Sequence, residues 1–196
     1  MQYASNIKRI DQLSRSVNDN SGFITTDTVE GLAADKGYGF VLSYYSTVLT
    51  PGSTMAIQIK TTLDATVAIK EEILLASAGD LLLQFYEDPT AMTSGTTPIA
   101  INNRQRRFYE DDPATYTAKT IVYDDPSAIS GGTLLKTKYF SGGTVAGPNV
   151  ISHMEGIGWQ LAKGHNYVYK FINLDTTSTI SYSFSIAIYE LTTDRE

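Results

Sequence analysis

His153 and His165 are the only imidazoles in the chain, and there is no cysteine. An imidazole works as a general base or a metal ligand only when partners stand at fixed spacing. No HxH, HExxH or GxSxG pattern occurs. Two histidines are too few for the multi-histidine metal centre that some β-barrels carry. His165 falls in the turn Lys163-Gly164-His165-Asn166, where an exposed polar side chain is expected. His153 falls in a loop beside Met154 and Glu155. The expectation is a protein that is not an enzyme, with no catalytic residue, no cofactor and no metal.

Two acidic runs follow tyrosines: Glu110-Asp111-Asp112-Pro113 after Tyr109, and Asp124-Asp125-Pro126 after Tyr123. Paired carboxylates suit Ca²⁺, which takes six to eight oxygens, but no DxDxDG loop is present. Aspartate before proline more simply starts a solvated turn. Asn103-Arg104-Gln105-Arg106-Arg107 is the basic cluster. Its arginines either pair with the acidic run just downstream or fork onto carboxylates of a neighbouring subunit. A nucleic-acid patch fits poorly with a net charge of −6. Tyr38, Tyr44, Tyr45, Tyr167, Tyr169, Tyr182 and Tyr189 fall on expected strands, as core or sheet-face residues. Some tyrosines of this kind stack on sugars or anchor protein contacts. Trp159 reads as core.

These residues need β-strands to position them. The 196 residues suit one large β-domain with an extension and can bury a core without disulfides. Thr, Ser, Ile, Val and 13 tyrosines favour strands, and 15 glycines punctuate them. No run of 18 apolar residues occurs and residues 1–20 are polar, so neither a membrane span nor a signal peptide is expected.

Residues 1–36 read as an N-terminal arm. Ile7, Ile10, Leu13 and Val17 are spaced for a short helix over residues 4–17, with Ser5 as cap. Residues 18–36 read as an extended segment with at most a short strand at 23–25. Residues 37–196 read as the β-domain. Strands are expected at Gly39–Leu49, around Met55, Ile57 and Ile59, and over residues 81–87. Over residues 64–76, Val67, Ile69, Glu71 and Ile73 fit a strand while Lys70-Glu71-Glu72 fits a helix; the β-branched residues favour the strand. Residues 88–157 read as an irregular middle with short strands at 117–123 and 133–139. The close is a strand at 158–161, a second at 167–174 and a third at 180–191. In the last, Tyr182, Phe184, Ile186 and Ile188 alternate with Ser181, Ser183, Ser185 and Ala187. The expected fold class is all-β, a jelly-roll-like antiparallel β-sandwich with an N-terminal extended arm or short helix.

Several runs resemble a group of tailed-bacteriophage head proteins. They are Leu81-Leu82-Leu83-Gln84-Phe85-Tyr86-Glu87, then Thr96-Thr97-Pro98 and Asn102-Asn103-Arg104, then Gly131-Gly132-Thr133-Leu134-Leu135. The ending adds Trp159-Gln160-Leu161, Asn166-Tyr167-Val168-Tyr169, Asn173 and Ile186-Ala187-Ile188-Tyr189-Glu190. The match covers residues 38–191, departs at Gln105 and Arg106, and does not extend to the first 36 residues. The resemblance implies a capsid decoration, or cement, protein: a homotrimer on the outer surface of the virion capsid, made in the host cytoplasm. The implied partners are the major capsid protein and itself, with no nucleic acid and no membrane. No catalytic residue carries over. Ile7, Ile10 and Leu13 of the arm, with Arg104, Arg106 and Arg107, are the candidate subunit or capsid contacts. The alternative is a carbohydrate- or receptor-binding head-fibre or tail module.

Overall fold

The computed structural model describes residues 38–76, 79–103, 117–141, 149–151 and 158–192. Side-chain alternation sets the architecture. In β14 (Ile180–Thr192), Ile180, Tyr182, Phe184, Ile186 and Ile188 are at most 1 % exposed. Ser181, Ser183 and Ser185 lie on the opposite face and stay partly exposed. Burying one such aromatic or branched side chain stabilises by about 1.5–3 kcal/mol. A slip of one residue would exchange these for serines.

β14 is central to the first sheet. It pairs antiparallel with β1 (Gly39–Leu49) and with β3 (Ala65–Ala76). The other edge of β3 carries β11 (Asn149–Ile151) and β12 (Trp159–Leu161), and the far side of β1 carries β7 (Ile101–Asn103). The second sheet runs β10 (Thr133–Ser141), β4 (Asp80–Glu87), β13 (Asn166–Asn173), β2 (Thr54–Lys60), β8 (Ile121–Asp124) and β6 (Thr97–Pro98). A separate ribbon pairs β5 (Ala91–Thr93) with β9 (Ser127–Ser130).

The sequence pattern left the strand order open. With β11 and β12 as one interrupted strand, the principal orders are β1-β14-β3-β11/β12 and β2-β13-β4-β10. Strands β1 to β4 alternate between sheets, and so do β13 and β14. That is the connectivity of a jelly roll. Residues 88–132 are inserted between β4 and β10. Their described parts form the β5–β9 ribbon and extend both sheets through β7, β8 and β6.

The sheets meet on an aromatic column. Phe85 stacks on Tyr169 at 4.2 Å, Tyr169 tilts against Phe184 at 4.9 Å, and Phe171 contacts Phe184 at 5.1 Å and Tyr182 at 4.7 Å. Such pairs add roughly 0.5–1.5 kcal/mol beyond the area they bury.

β3 departs from the alternation expected of it. Ile69 lies opposite Ile188, but Glu71 lies opposite Ala187, so Lys70 is an extra residue. This β-bulge reverses the facing. Val67 and Ile69 point inward before it, and Glu72, Leu74 and Ala76 point inward after it. The strand expected over this segment is present, but past the bulge Ile73 lies on the opposite face from Val67 and Ile69 and is only partly buried.

The bulge delivers Glu72 to the interior, where it is 6 % exposed. Its carboxylate accepts a hydrogen bond from the Tyr169 hydroxyl at 2.5 Å and from the Lys136 ammonium across the sandwich. Lys136 and Lys138 share the inner face of β10 with Phe140, in register with Phe85, Leu83 and Leu81. β10 ends its sheet among the described strands.

Three buried polar side chains fasten the loops. Asn173 is fully buried; its amide donates to Leu49 O and Ser178 O, each at 2.8 Å. Glu190, also fully buried, accepts from Thr120 N at 2.6 Å and Lys119 N at 2.9 Å. Gln58 donates to Asn166 Oδ1 at 2.9 Å and to Ser94 Oγ at 3.3 Å, and accepts from Gly95 N at 3.2 Å. A Cβ on Gly95 would stand 2.1 Å from Asp124 O, so this close approach requires glycine.

The described parts of the expected irregular middle hold more strand than its pattern suggested. The strand foreseen at 117–123 is β8, starting at Ile121, and β5, β6, β7, β9 and β11 were not foreseen. With two to four residues each, they are too short to display a period. The arm expected over residues 1–36, with the helix and the short strand at 23–25 expected in it, lies outside the described residues.

Lys136→Met is expected to cost about 3–5 kcal/mol in urea unfolding, because it strands the Glu72 carboxylate between the sheets. The triple change Glu72→Leu, Lys136→Met and Tyr169→Phe is expected to recover most of that loss. Equal destabilisation by both variants would contradict the account.

Candidate functional site

Of the expected contacts, Ile7, Ile10, Leu13, Arg104, Arg106 and Arg107 lie outside the described residues. So do His153 and the acidic run 110–113. The remaining candidates can be placed.

His165 stands at one end of the sandwich. Its Nδ1 is 2.5 Å from Asp88 Oδ2, while Asp88 Oδ1 accepts from Asn166 N at 2.9 Å. The Thr61 hydroxyl donates to Ala162 O at 2.7 Å and accepts from His165 N at 2.9 Å. The Tyr167 hydroxyl donates to Glu87 at 2.7 Å and accepts from Ala162 N at 2.8 Å. Burial, and then the Glu87 carboxylate, pushes the Tyr167 phenol upward. These bonds clasp three loop ends together. The imidazole is part of a turn, as its place in the sequence suggested.

The tyrosines divide by register. Tyr167, Tyr169 and Tyr182 are core, and Tyr189 is 6 % exposed on the outer face beside Ala68 and Ala187. Tyr45 is 66 % exposed and Tyr139 is 54 % exposed. Trp159 packs against the core, 5.7 Å from Phe85. Sequence reasoning assigned no role to Glu72 or Gln58. Both look like ordinary surface polar residues until the bulge and the overlying ribbon bury them.

Asp124 and Asp125 do more than start a turn. The Tyr44 and Tyr182 hydroxyls both donate to Met55 Sδ, at 3.5 and 2.8 Å. Burial, and then the Asp124 carboxylate, pushes the Tyr44 phenol from 10.0 up to about 12. Burial and the Tyr44, Asp124 and Asp125 charges push Tyr182 higher still.

Beyond Met55 a cleft of ≈ 280 Å³ opens between sheet two and the ribbon. Asp125 N donates to Ala56 O at 3.1 Å and closes one end. Three non-glycine residues have a left-handed φ among the described residues, and two line this cleft: Asp125 at 47° and Ala128 at 53°. Thr54, Asp125, Ser127 and Lys170 bring polar groups to it, while Ala128 and Ile129 supply apolar surface over the backbone of Met55 and Ala56. The Lys170 ammonium stands 5.8 Å from the centre of the Tyr86 ring. No group of three or more metal-ligating side chains occurs among the described residues.

The fold is thus an all-β sandwich with a hydrophobic interior, a few buried polar side chains that fasten loops, and a lined cleft on the outside of sheet two. Comparison with known proteins finds no family model, no curated protein and no solved structure that matches the chain.

The raised tyrosines set an alkaline limit. A phenol protonated in the fold up to about 12 but ionising at 10.0 when unfolded stabilises the fold below pH 10.0. That contribution is lost as pH rises through about 12. Urea unfolding followed through that range is expected to show falling stability, less steeply in Tyr44→Phe. Ala128→Gly is expected to stabilise by about 0.5 kcal/mol, because relief of left-handed strain outweighs the added chain entropy. A lower melting temperature would contradict it.

Proposed function

We propose that this chain is a non-enzymatic virion subunit that decorates the outer surface of a phage head and stabilises it by bridging major capsid protein subunits. Support comes first from the resemblance across residues 38–191. The quoted positions include Phe85, Tyr167 and Tyr169 of the aromatic stack and the fastening residues Asn173 and Glu190.

The observation that carries the reading is the placement of exposed apolar side chains on both sheets. Tyr45 at 66 % and Val48 at 63 % stand on β1, and Leu134 at 48 % and Tyr139 at 54 % stand on β10. A bridging protein needs two contact surfaces, and partly exposed aromatics are the side chains that anchor such contacts. A protein bound across several subunits adds free energy only to the assembled shell, and so stabilises it by linkage. Trimeric attachment would multiply modest contacts through effective concentration. A net charge of −6 disfavours adhesion to packaged DNA and suits an outer position.

The test is co-sedimentation with empty heads of the parent phage, alongside the mass of the free protein. A trimer of three 21.5 kDa chains and saturable binding to heads are expected. Removing residues 1–20 is expected to leave the β-domain folded and to weaken head binding. Absence of binding to heads by the full chain would refute the proposal.

A further inference from the structure

We propose that the cleft between the β5–β9 ribbon and sheet two binds one ring of a neutral saccharide. The proposal does not rest on the decoration reading, and either can fail without the other.

The lining has the chemistry of a polyhydroxylated ligand. Asp125 offers a carboxylate acceptor, Lys170 an ammonium donor, and Thr54 and Ser127 hydroxyls that do both. None of the four side chains makes a hydrogen bond or ion pair to another described residue, so their capacity is available. Between them lie Ala128 and Ile129, which give the cleft apolar surface for the C–H face of a pyranose. One carboxylate and one ammonium leave the lining without net charge. An anion would meet Asp125 and a cation would meet Lys170, whereas sugar hydroxyls can donate to the first and accept from the second. An apolar side chain filling the same space would satisfy none of these groups.

Size and shape agree. At ≈ 280 Å³ the cleft is just below the range of about 300–1,000 Å³ typical of small-molecule sites. It suits one ring, with neighbouring rings of a longer glycan left in solvent. The wall is held in place. Gln58 fastens Ser94 and Gly95, Asp125 N bonds Ala56 O, and the left-handed residues Asp125 and Ala128 shape the rim. Strained backbone that persists at the edge of a cleft is a feature of binding sites. Lys170 is oriented by the Tyr86 ring, so its ammonium is partly ordered before a ligand arrives.

The experiment is amide NMR on the full chain with a panel of neutral methyl glycosides of glucose, galactose, mannose and N-acetylglucosamine. At least one is expected to give saturable shifts confined to residues 54–56, 125, 127–129 and 170, with a Kd on the order of 1 mM. Ser127→Ala and Lys170→Ala are each expected to weaken binding several-fold. Thr54 and Ser127 make no fold contact through their hydroxyls, so Thr54→Ala/Ser127→Ala should melt as the parent does and still lose the shifts. The proposal is overturned if no neutral glycoside gives saturable shifts at about 50 times that concentration. It is also overturned if the shifts map elsewhere, or if inorganic phosphate or acetate binds the cleft as well as the sugars do.

Discussion

A carboxylate between two hydrophobic sheets is tolerable only if its charge and lone pairs are met, and meeting those of Glu72 ties the halves of the sandwich together. Its partners come from the opposite sheet: the hydroxyl of Tyr169 and the ammonium of Lys136. Tyr169 is also the middle of the aromatic stack, so the polar contact and the apolar packing share a side chain. The β3 bulge makes this possible, since without Lys70 as an extra residue Glu72 would face outward. Apolar packing alone holds sheets together with little preference for sliding. A directional bond through the centre selects one alignment, at a stability cost that a well-packed apolar replacement would avoid.

The same economy applies at the periphery. Asn173, Glu190 and Gln58 are each buried and each spent on backbone groups of loops. Asn173 ties the turn after β13 to the end of β1, while Gln58 and Glu190 tie the described parts of the inserted segment to the jelly roll at Ser94, Gly95, Lys119 and Thr120. The cleft exists because of that inserted segment. Its floor is the outer face of β2 and β13, and its wall is the segment that Gln58 and Ala56 secure.

Much of the framework is legible in the chain, and the reason is period. In β14 and β13 one face must be apolar throughout, so the alternation is continuous and the bounds of β1 agree to the residue. The ambiguity over residues 64–76 has a physical source. A bulge places successive inward residues Ile69 and Glu72 three apart, which is helical spacing written into a strand. The inserted strands escape because two to four residues carry no period and their stability comes from Gln58 and Glu190, far away in sequence. The cleft was illegible for the same reason. Its lining comes from β2, the β8–β9 turn and β13, and only the pair Asp124-Asp125 drew notice, as a turn.

One consequence follows from the lysines on the inner side of β10. An outermost strand with bare peptide groups is an invitation to polymerise, and a protein displayed at high local density on any surface would meet its copies there constantly. Adding a strand to this margin would crowd two ammonium groups, Lys136 and Lys138, against the newcomer's own inner row, and burial already holds the Lys138 ammonium below its usual range. Growth sideways into fibrils is thereby discouraged.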